Sequence, residues 1–343
     1  MNSDWQSFLL QQGGHIEDGV VQHFGNAAQE RVDAESATVL CDLSQFGLLR
    51  VSGEDAQTFL QNLLSNDIRE TEAGRAQLSS FNNAKGRMLA SMLVWRDGAD
   101  YLLQLHASLI EPIRKKLSMY VLRSKVKIAD ISPDQVILGV AGPRAEAALQ
   151  QAGLHVPTDV MGMWHANGSC VLRREAARFE IITDVQQAQA SWVALASAAR
   201  PVGAPCWDGM DIRAGIPFIR SETSEAFVPQ MVNFELIGGI NFKKGCYPGQ
   251  EVVARMHYLG KPKRRMYRAR IMTETPPAPG AELFSATHEN AVCGQLVSSA
   301  RAAHGGYDVL AVIQTEVAEA FPVHLNALTG PRLELEPLPY ALP

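Results

Sequence analysis

One stretch of this chain concentrates residues that can do chemistry: Asn241-Phe242-Lys243-Lys244-Gly245-Cys246-Tyr247-Pro248-Gly249-Gln250-Glu251-Val252-Val253-Ala254-Arg255. Two glycines and a proline within five residues impose a tight, defined backbone. Pro248 suits the first turn of a helix that continues through Val252 and Val253. Glu251 and Arg255 then stand four apart, in the favourable orientation for a helical ion pair. Cys246 falls just before that helix, with Lys243 and Lys244 beside it in sequence. Positive charge and a helix N-terminus stabilise a thiolate, the reactive form of cysteine. The same residues also permit a plainer reading, since a free cysteine commonly acts as a small buried hydrophobe.

A second concentration is basic: Lys261-x-Lys263-Arg264-Arg265-x-Tyr267-Arg268-x-Arg270. It reads as a solvated strand face, as a site for carboxylates, or as a site for RNA phosphates. Only Tyr267 interleaves the charges. The nine histidines show no ligand spacing such as His-x-x-x-His, and none is assigned to a metal. The five cysteines are odd in number, scattered and never spaced Cys-x-x-Cys, so neither a disulfide framework nor a Cys-rich zinc site is expected. Cys41, Cys170, Cys206 and Cys293 read as structural.

The elements that must position these residues follow from the rest of the chain. At 343 residues, with 46 % apolar residues, two or three folded domains are expected and intrinsic disorder is excluded for most of the length. A net charge of −5 gives no global attraction to nucleic acid or membrane. No apolar run approaches a membrane span, and no signal-peptide pattern opens the chain, so a soluble cytoplasmic protein without membrane partners is expected. Residues 1–35 read as a polar N-terminal extension with a short helix and loop. Gly47–Val51 reads as a strand, and Glu54–Leu64 as an amphipathic helix burying Phe59, Leu60, Leu63 and Leu64. Met88–Trp95 and Tyr101–Leu105 form a candidate hairpin around Asp97-Gly98, followed by a helix over Leu109–Tyr120 and a strand over Ser124–Ile128.

An internal repeat is visible. Val51-Ser52-Gly53-Glu54-Asp55-Ala56 runs on to Phe59-Leu60-Gln61, and Val140-Ala141-Gly142-Pro143-Arg144-Ala145 runs on to Ala148-Leu149-Gln150. Each describes a strand, a glycine exit and a helix, with Pro143 suited to the first helical position. A duplicated α+β half is expected. A strand over Arg178–Thr183 and a helix near Gln186–Ala199 continue the second copy. After Gly260 short β-rich runs separated by Pro and Gly suggest a small β-barrel: Met266–Ile271, Ala291–Val297, Tyr307–Ile313, Pro322–Leu328 and Leu333–Leu335.

The segment Lys244-Gly245-Cys246-Tyr247-x-Gly249-Gln250-Glu251-x-x-Ala254-Arg255 resembles the defining motif of the YgfZ family, folate-binding proteins related to the aminomethyltransferase (T-protein) of the glycine cleavage system. Further stretches are similar to the family: Phe227-Val228-Pro229-Gln230-Met231-Val232-Asn233, Leu236-x-Gly238-Gly239-Ile240, Asp211-Ile212-Arg213-Ala214-Gly215-Ile216-Pro217, Leu43-Ser44-Gln45-Phe46-Gly47, Asn83-Ala84-Lys85-Gly86-Arg87 and Glu334–Tyr340. The resemblance covers most of residues 37–343. It implies an α+β fold of duplicated halves, of the aminomethyltransferase folate-binding type, followed by a C-terminal small β-barrel. The expected division is 1–35 extension, 36–130 first α+β domain, 131–259 second α+β domain carrying the Lys-Gly-Cys-Tyr motif, and 260–343 barrel.

The resemblance also implies a role. It points to a protein that binds tetrahydrofolate, or a one-carbon derivative, and supports assembly or repair of iron–sulfur enzymes, tRNA-modifying ones among them. Cys246 would be the chemical residue and Lys244 would lower its pKa. Gly245, Tyr247, Gly249 and Gln250 complete the motif, and Glu251 with Arg255 would orient the loop. Folate would be held by Trp207 and by Phe46, the latter standing where the family has tryptophan; phenylalanine can still stack but lacks the indole N–H. Iron–sulfur proteins are the implied clients, with tRNA a further partner. Two other readings stay open: an aminomethyltransferase-type enzyme moving a one-carbon unit on folate, and a non-enzymatic tRNA-associated scaffold or folate sensor supported by the basic segment.

Overall fold

The computed structural model describes residues 1–71, 74–166, 168–260, 262–286 and 292–343. In chain order the elements begin with α1 (Ser3–Gln11), β1 (His15–Glu17), β2 (Val20–His23), α2 (Ala27–Ser36), β3 (Val39–Asp42), β4 (Phe46–Ser52) and α3 (Ala56–Gln61). They continue with β5 (Gln77–Asn82), β6 (Met88–Asp97), β7 (Asp100–His106), α4 (Ile110–Val121), β8 (Lys127–Asp130), β9 (Gln135–Ala141) and α5 (Ala145–Gln151). Then come β10 (Met163–Ala166), β11 (Ser169–Glu175), β12 (Arg178–Asp184), α6 (Val185–Ala196), β13 (Arg200–Val202), α7 (Ala204–Arg213) and α8 (Gln250–Leu259). The chain closes with β14 (Arg264–Ile271), β15 (Glu282–Phe284), β16 (Val292–Arg301), β17 (Tyr307–Gln314), α9 (Thr315–Ala320), β18 (His324–Leu325) and β19 (Leu333–Glu336).

The residues fall into two compact units. One comprises Met1–Gln57, Arg69–Gln77 and Leu93–Trp207; the other comprises Thr58–Ile68, Leu78–Met92 and Asp208–Pro343.

In the first unit a six-stranded sheet runs β10-β11-β12-β9-β3-β13, antiparallel except where β13 pairs parallel with β3. Its core gathers Leu138 and Val140 of β9, Phe179 and Ile181 of β12, and Leu149 and Trp192 of the covering helices α5 and α6. Alternation along β9 and β12 supplies that apolar face. The N-terminal segment is part of this core and not a polar extension. Trp5 and Leu9, one helical turn apart on α1, are buried in it, and the Trp5 indole Nε1 donates to Asp42 at 2.7 Å. Asn2 caps α1 by accepting from the Asp4 amide.

A second set of strands in this unit pairs β6 with β7, β7 with β4 and β4 with β8. The hairpin expected at Asp97-Gly98 forms, with Asp97 opposite Asp100 and Gly98 at φ 61°. Helix α4 buries Ile110, Ile113 and Leu117, its i, i+3 and i+7 stripe. The two repeated strand exits are equivalent. Gly53 and Gly142 sit at φ 114° and 115°, and a Cβ on either would fall 2.1 or 2.2 Å from a main-chain carbonyl oxygen, of Lys125 and Ala37 respectively. Pro143 lies in the turn ahead of α5, whose N-cap is Arg144.

The second unit carries the expected barrel as a curled six-stranded antiparallel sheet, a half-barrel, in the order β18-β15-β16-β17-β14-β19. Ala269, Ile271, Leu283, Leu296, Val309 and Ile313 fill its interior. Of the expected strands, Pro322–Leu328 contracts to β18, two residues long. Residue 291, within another, lies outside the described residues. No helix among the described residues is long and apolar enough to cross a membrane.

Candidate functional site

The Lys-Gly-Cys-Tyr loop lies in the second unit and is fixed from both sides. Asn241 donates its amide to the Ser65 carbonyl at 3.1 Å, and its side-chain oxygen accepts from the amides of Lys243 and Lys244. The buried Lys244 ammonium donates to the main-chain carbonyls of Gln61 at 2.7 Å, Asn66 at 3.0 Å and Leu64. Those carbonyls belong to the end of α3 and the turn after it, where helical amides no longer satisfy them. The positive charge also sits at the negative end of the helix dipole. The Tyr247 ring stands 5.2 Å from the same ammonium and is buried, and burial pushes its hydroxyl pKa up.

This arrangement gives Lys244 a structural role. An ammonium has three N–H donors, and three main-chain carbonyls accept from this one. Lys244 clamps the loop. The loop in turn presents Cys246 outward: it is exposed, while Cys41, Cys170, Cys206 and Cys293 are buried.

Two glycines carry the other side of the loop. Gly249 adopts φ 76° and is the N-cap of α8. A Cβ there would stand 2.4 Å from the Gly86 Cα and 2.5 Å from the Asn83 carbonyl oxygen. The Asn83–Arg87 turn is thereby brought against the motif, though 166 residues separate Asn83 from Gly249 in sequence. Pro248 precedes the helix and is not in its first turn, because α8 starts at Gln250. Gln250 donates from its side chain to the Lys244 carbonyl at 3.3 Å, closing the loop on itself. Glu251 and Arg255 share the exposed face of α8, but no ion pair within 4.0 Å joins them, so the expected helical pair does not form.

Two arginines of the basic segment are paired with carboxylates. Arg265 pairs with Glu235, Arg268 with Glu336 at 2.5 Å, and Arg270 donates to the Gly305 carbonyl at 2.9 Å. Lys263 is exposed and Arg264 half-buried. Lys261 lies outside the described residues.

A polar constellation in the first unit escaped the sequence reading. Glu180 on β12 is fully buried. Its Oε1 lies 2.5 Å from Nη1 of buried Arg174, and its Oε2 accepts from the Gln104 amide on β7 at 2.8 Å. The other Gln104 polar atom, Oε1, is buried without a hydrogen-bond partner. Leu102 and Ile182, two residues along the same strand faces, line a crevice of about 380 Å³ together with Arg50, Trp95, His165 and Cys170. The Trp95 indole N–H is buried and has no acceptor. Burial, with the Asp97 and Glu180 charges, raises the Cys170 thiol to about 12, which keeps it inert. A signal existed: Glu180 lies between Phe179 and Ile181 in an apolar strand, and a carboxylate there requires a buried partner.

Trp207 and Phe46 belong to the first unit as core aromatics. Trp207, on α7, is fully buried, with the Arg178 guanidinium over its ring at 5.1 Å and Gly139 packed so closely that a Cβ would stand 2.5 Å from Cζ3. Its indole N–H has no hydrogen-bond partner. Phe46 meets His106 edge-on at 6.4 Å and lines a smaller cavity of about 150 Å³ with Trp5, Leu48 and Ile137. Among the described residues no group of three or more His, Cys, Asp or Glu side chains is placed to hold a metal ion.

Residues 8–167 match the family model of the GCVT N-terminal domain. The chain is 32 % identical over 324 residues to the tRNA-modifying protein YgfZ of Yersinia pseudotuberculosis serotype O:1b (strain IP 31758), covering 93 % of this chain and 98 % of that protein. It is 31 % identical over 312 residues to the protein of the same name from Yersinia enterocolitica serotype O:8 / biotype 1B (strain NCTC 13174 / 8081), covering 90 % and 94 %. Among solved structures, the glycine cleavage system aminomethyltransferase T from Bartonella henselae superposes with a TM-score of 0.81 over 99 % of this chain and 98 % of that one. Its sequence identity is 19 %, so that likeness is one of fold.

Proposed function

This chain belongs to the YgfZ family, and from that premise we propose that it binds tetrahydrofolate, or a one-carbon derivative of it, and supports the assembly or repair of iron–sulfur enzymes in the cytoplasm, tRNA-modifying ones among them. Cys246 is its chemical residue. The observation that carries this reading is the contrast between the five cysteines: four are buried, and the fifth is exposed on a loop clamped by Lys244 and by the Gly249–Gly86 contact. A fixed backbone under an exposed thiol presents sulfur to a client without the ordering cost a mobile loop would incur. One thiolate is a quarter of the ligand set of a four-cysteine cluster. Cys246 therefore works by transient ligation or thiol exchange.

The donor set in the first unit fits folate. A pterin carries an amino-pyrimidine edge that donates hydrogen bonds, a carbonyl that accepts them, and a flat apolar body. Glu180 and the unpartnered Gln104 Oε1 are acceptors for the donating edge, and the Trp95 N–H is a donor without an acceptor. Leu102 and Ile182 supply apolar walls in the crevice. Arg174 pairs with the Glu180 carboxylate and holds it in place. Trp207 contributes through its buried N–H, since its ring is taken up by Arg178, and Phe46 through apolar contact. Bound tetrahydrofolate supplies a nitrogen that carries one-carbon units.

Calorimetric titration of tetrahydrofolate tests the folate half of this reading. Wild type and Cys246→Ala bind alike, whereas Gln104→Ala and Glu180→Gln lose affinity by about tenfold or more. No binding by wild type, or undiminished binding by both first-unit variants, contradicts it. Turnover of methylene-tetrahydrofolate with a lipoyl carrier would replace it by an aminomethyltransferase.

A further inference from the structure

Helix α8 ends on an aromatic cluster that none of the roles above uses. The Phe242 ring stacks on the His257 imidazole, with centroids 3.7 Å apart and planes inclined by 13°. Tyr258 meets both edge-on, its ring 4.8 Å from His257 and 6.3 Å from Phe242. Tyr258 is 65 % exposed, and His257 is exposed beside it. Aromatic surface is ordinarily buried, because each ring removes a large apolar area from water; three rings gathered at the surface mark a place that receives something flat.

Cationic side chains flank the cluster, and the Glu235 carboxylate, which pairs with Arg265, is also near His257. Exposed Lys243 follows Phe242 directly. Exposed Arg255 precedes Tyr258 by three residues and so shares its face of α8. Exposed Lys263 stands on the segment that leaves the helix, ahead of β14. Glu251, at the far end of α8, is the acidic residue of that helix. Unlike Arg265 and Arg268 of β14, Lys243 and Arg255 have no carboxylate partner among the described residues.

We propose that this cluster is a binding surface for single-stranded RNA: an unpaired base stacks on the exposed Tyr258 ring, which the Phe242–His257 pair supports edge-on, and adjacent phosphates meet Lys243 and Arg255. Every base offers a π face, and each nucleotide brings one negative charge, so the strand matches both components of the surface at once. A base inside a duplex has its faces covered by its neighbours, so the surface selects unpaired nucleotides, as in a loop. The inference deepens the tRNA-linked reading and rests on it. It also sets the bound strand beside the loop that carries Cys246, four residues beyond Phe242.

The test is fluorescence anisotropy of the full chain with a short labelled single-stranded RNA, and with the same sequence as a duplex, at two salt concentrations. Wild type binds the single strand more tightly. Tyr258→Ala weakens it about tenfold and Tyr258→Phe retains it. Lys243→Gln and Arg255→Gln each lower the slope of log affinity against log salt by roughly 0.7. Equal binding of duplex and single strand, absence of binding, or undiminished binding by Tyr258→Ala overturns the proposal. Normal RNA binding by Tyr258→Ala with lost cellular function overturns it too, and assigns the surface to a protein partner. The outcomes separate from those of the reading it rests on. If RNA binding fails while cellular rescue still depends on Cys246, this inference alone falls. If Cys246→Ala rescues fully while RNA binding depends on Tyr258, the thiol reading falls and the surface stands.

Discussion

Lys244 donates from its ammonium to the main-chain carbonyl of Gln61 at 2.7 Å, across 183 residues of sequence. Together with the bonds to Leu64 and Asn66, this makes one side chain the cap of α3 and the anchor of the Cys246 loop. Lys244→Met leaves three carbonyls without this donor, and a partly buried acceptor left unsatisfied costs about 1 kcal/mol at the low end. The expected loss of unfolding free energy is about 3 kcal/mol, read from urea denaturation. Lys244→Arg does not rescue, because a planar guanidinium cannot address three converging carbonyls from one atom. A Lys244→Met variant as stable as wild type would remove the clamp from the account.

The two motif glycines are predicted to differ. Gly249 combines φ 76° with main chain at 2.4 Å from where a Cβ would go, whereas a Cβ on Gly245 meets nothing within 4 Å. Gly249→Ala therefore costs about 2–3 kcal/mol, from the left-handed backbone and the forced retreat of the Asn83–Arg87 turn. Gly245→Ala stays within about 0.5 kcal/mol of wild type. Thermal unfolding of both variants decides it. Equal losses would contradict the packing described for Gly249.

Local patterns were legible in the sequence where chain neighbours settle the structure. Gly53 and Gly142 each follow an apolar strand and precede a helix, and their equivalence is visible in eleven aligned positions. Asp97-Gly98 marks its hairpin in the same way. What lay outside reach depends on distant pairs. Gln104 and Glu180 are 76 residues apart, and nothing near either names the other. Phe242, His257 and Tyr258 look like ordinary helix and loop residues until α8 folds back beside the loop. Trp5 and Leu9 were hidden by polar neighbours, although their i, i+4 spacing is that of a buried helical stripe. The clamp formed by Lys244 was equally out of reach, because its long side chain meets the end of α3, 183 residues away in sequence.

Arg174 and Glu180 form a fully buried ion pair, so each is expected to be costly to remove alone. Glu180→Gln takes the carboxylate charge away from the buried guanidinium and is expected to destabilise by about 3–5 kcal/mol. Adding Arg174→Met recovers part of that loss, since the buried charge goes with it. A double-mutant cycle with a coupling energy below about 0.5 kcal/mol would contradict the pairing.

Asp42 ties folding to pH. Burial raises its carboxyl pKa above the ordinary aspartate range, against the opposing hydrogen bonds from Trp5 and Ser44. Between the unfolded and the higher folded pKa the native chain holds more protons than the unfolded one. The stabilising contribution is therefore full below the ordinary aspartate range and is lost as pH rises through that window. Asp42→Asn cannot ionise. Its melting temperature relative to wild type should rise as pH goes from about 4 to about 7. A difference that does not change with pH would contradict the shift.

The central claim is that the exposed thiol of Cys246 does the work while folate binds elsewhere. Its most direct measurement is rescue of an iron–sulfur tRNA-modifying enzyme in cells lacking this protein, by wild type and by Cys246→Ala produced at equal levels. Wild type is predicted to restore the tRNA modification and Cys246→Ala to fail, with tetrahydrofolate affinity the same for both. Full rescue by Cys246→Ala would contradict the claim.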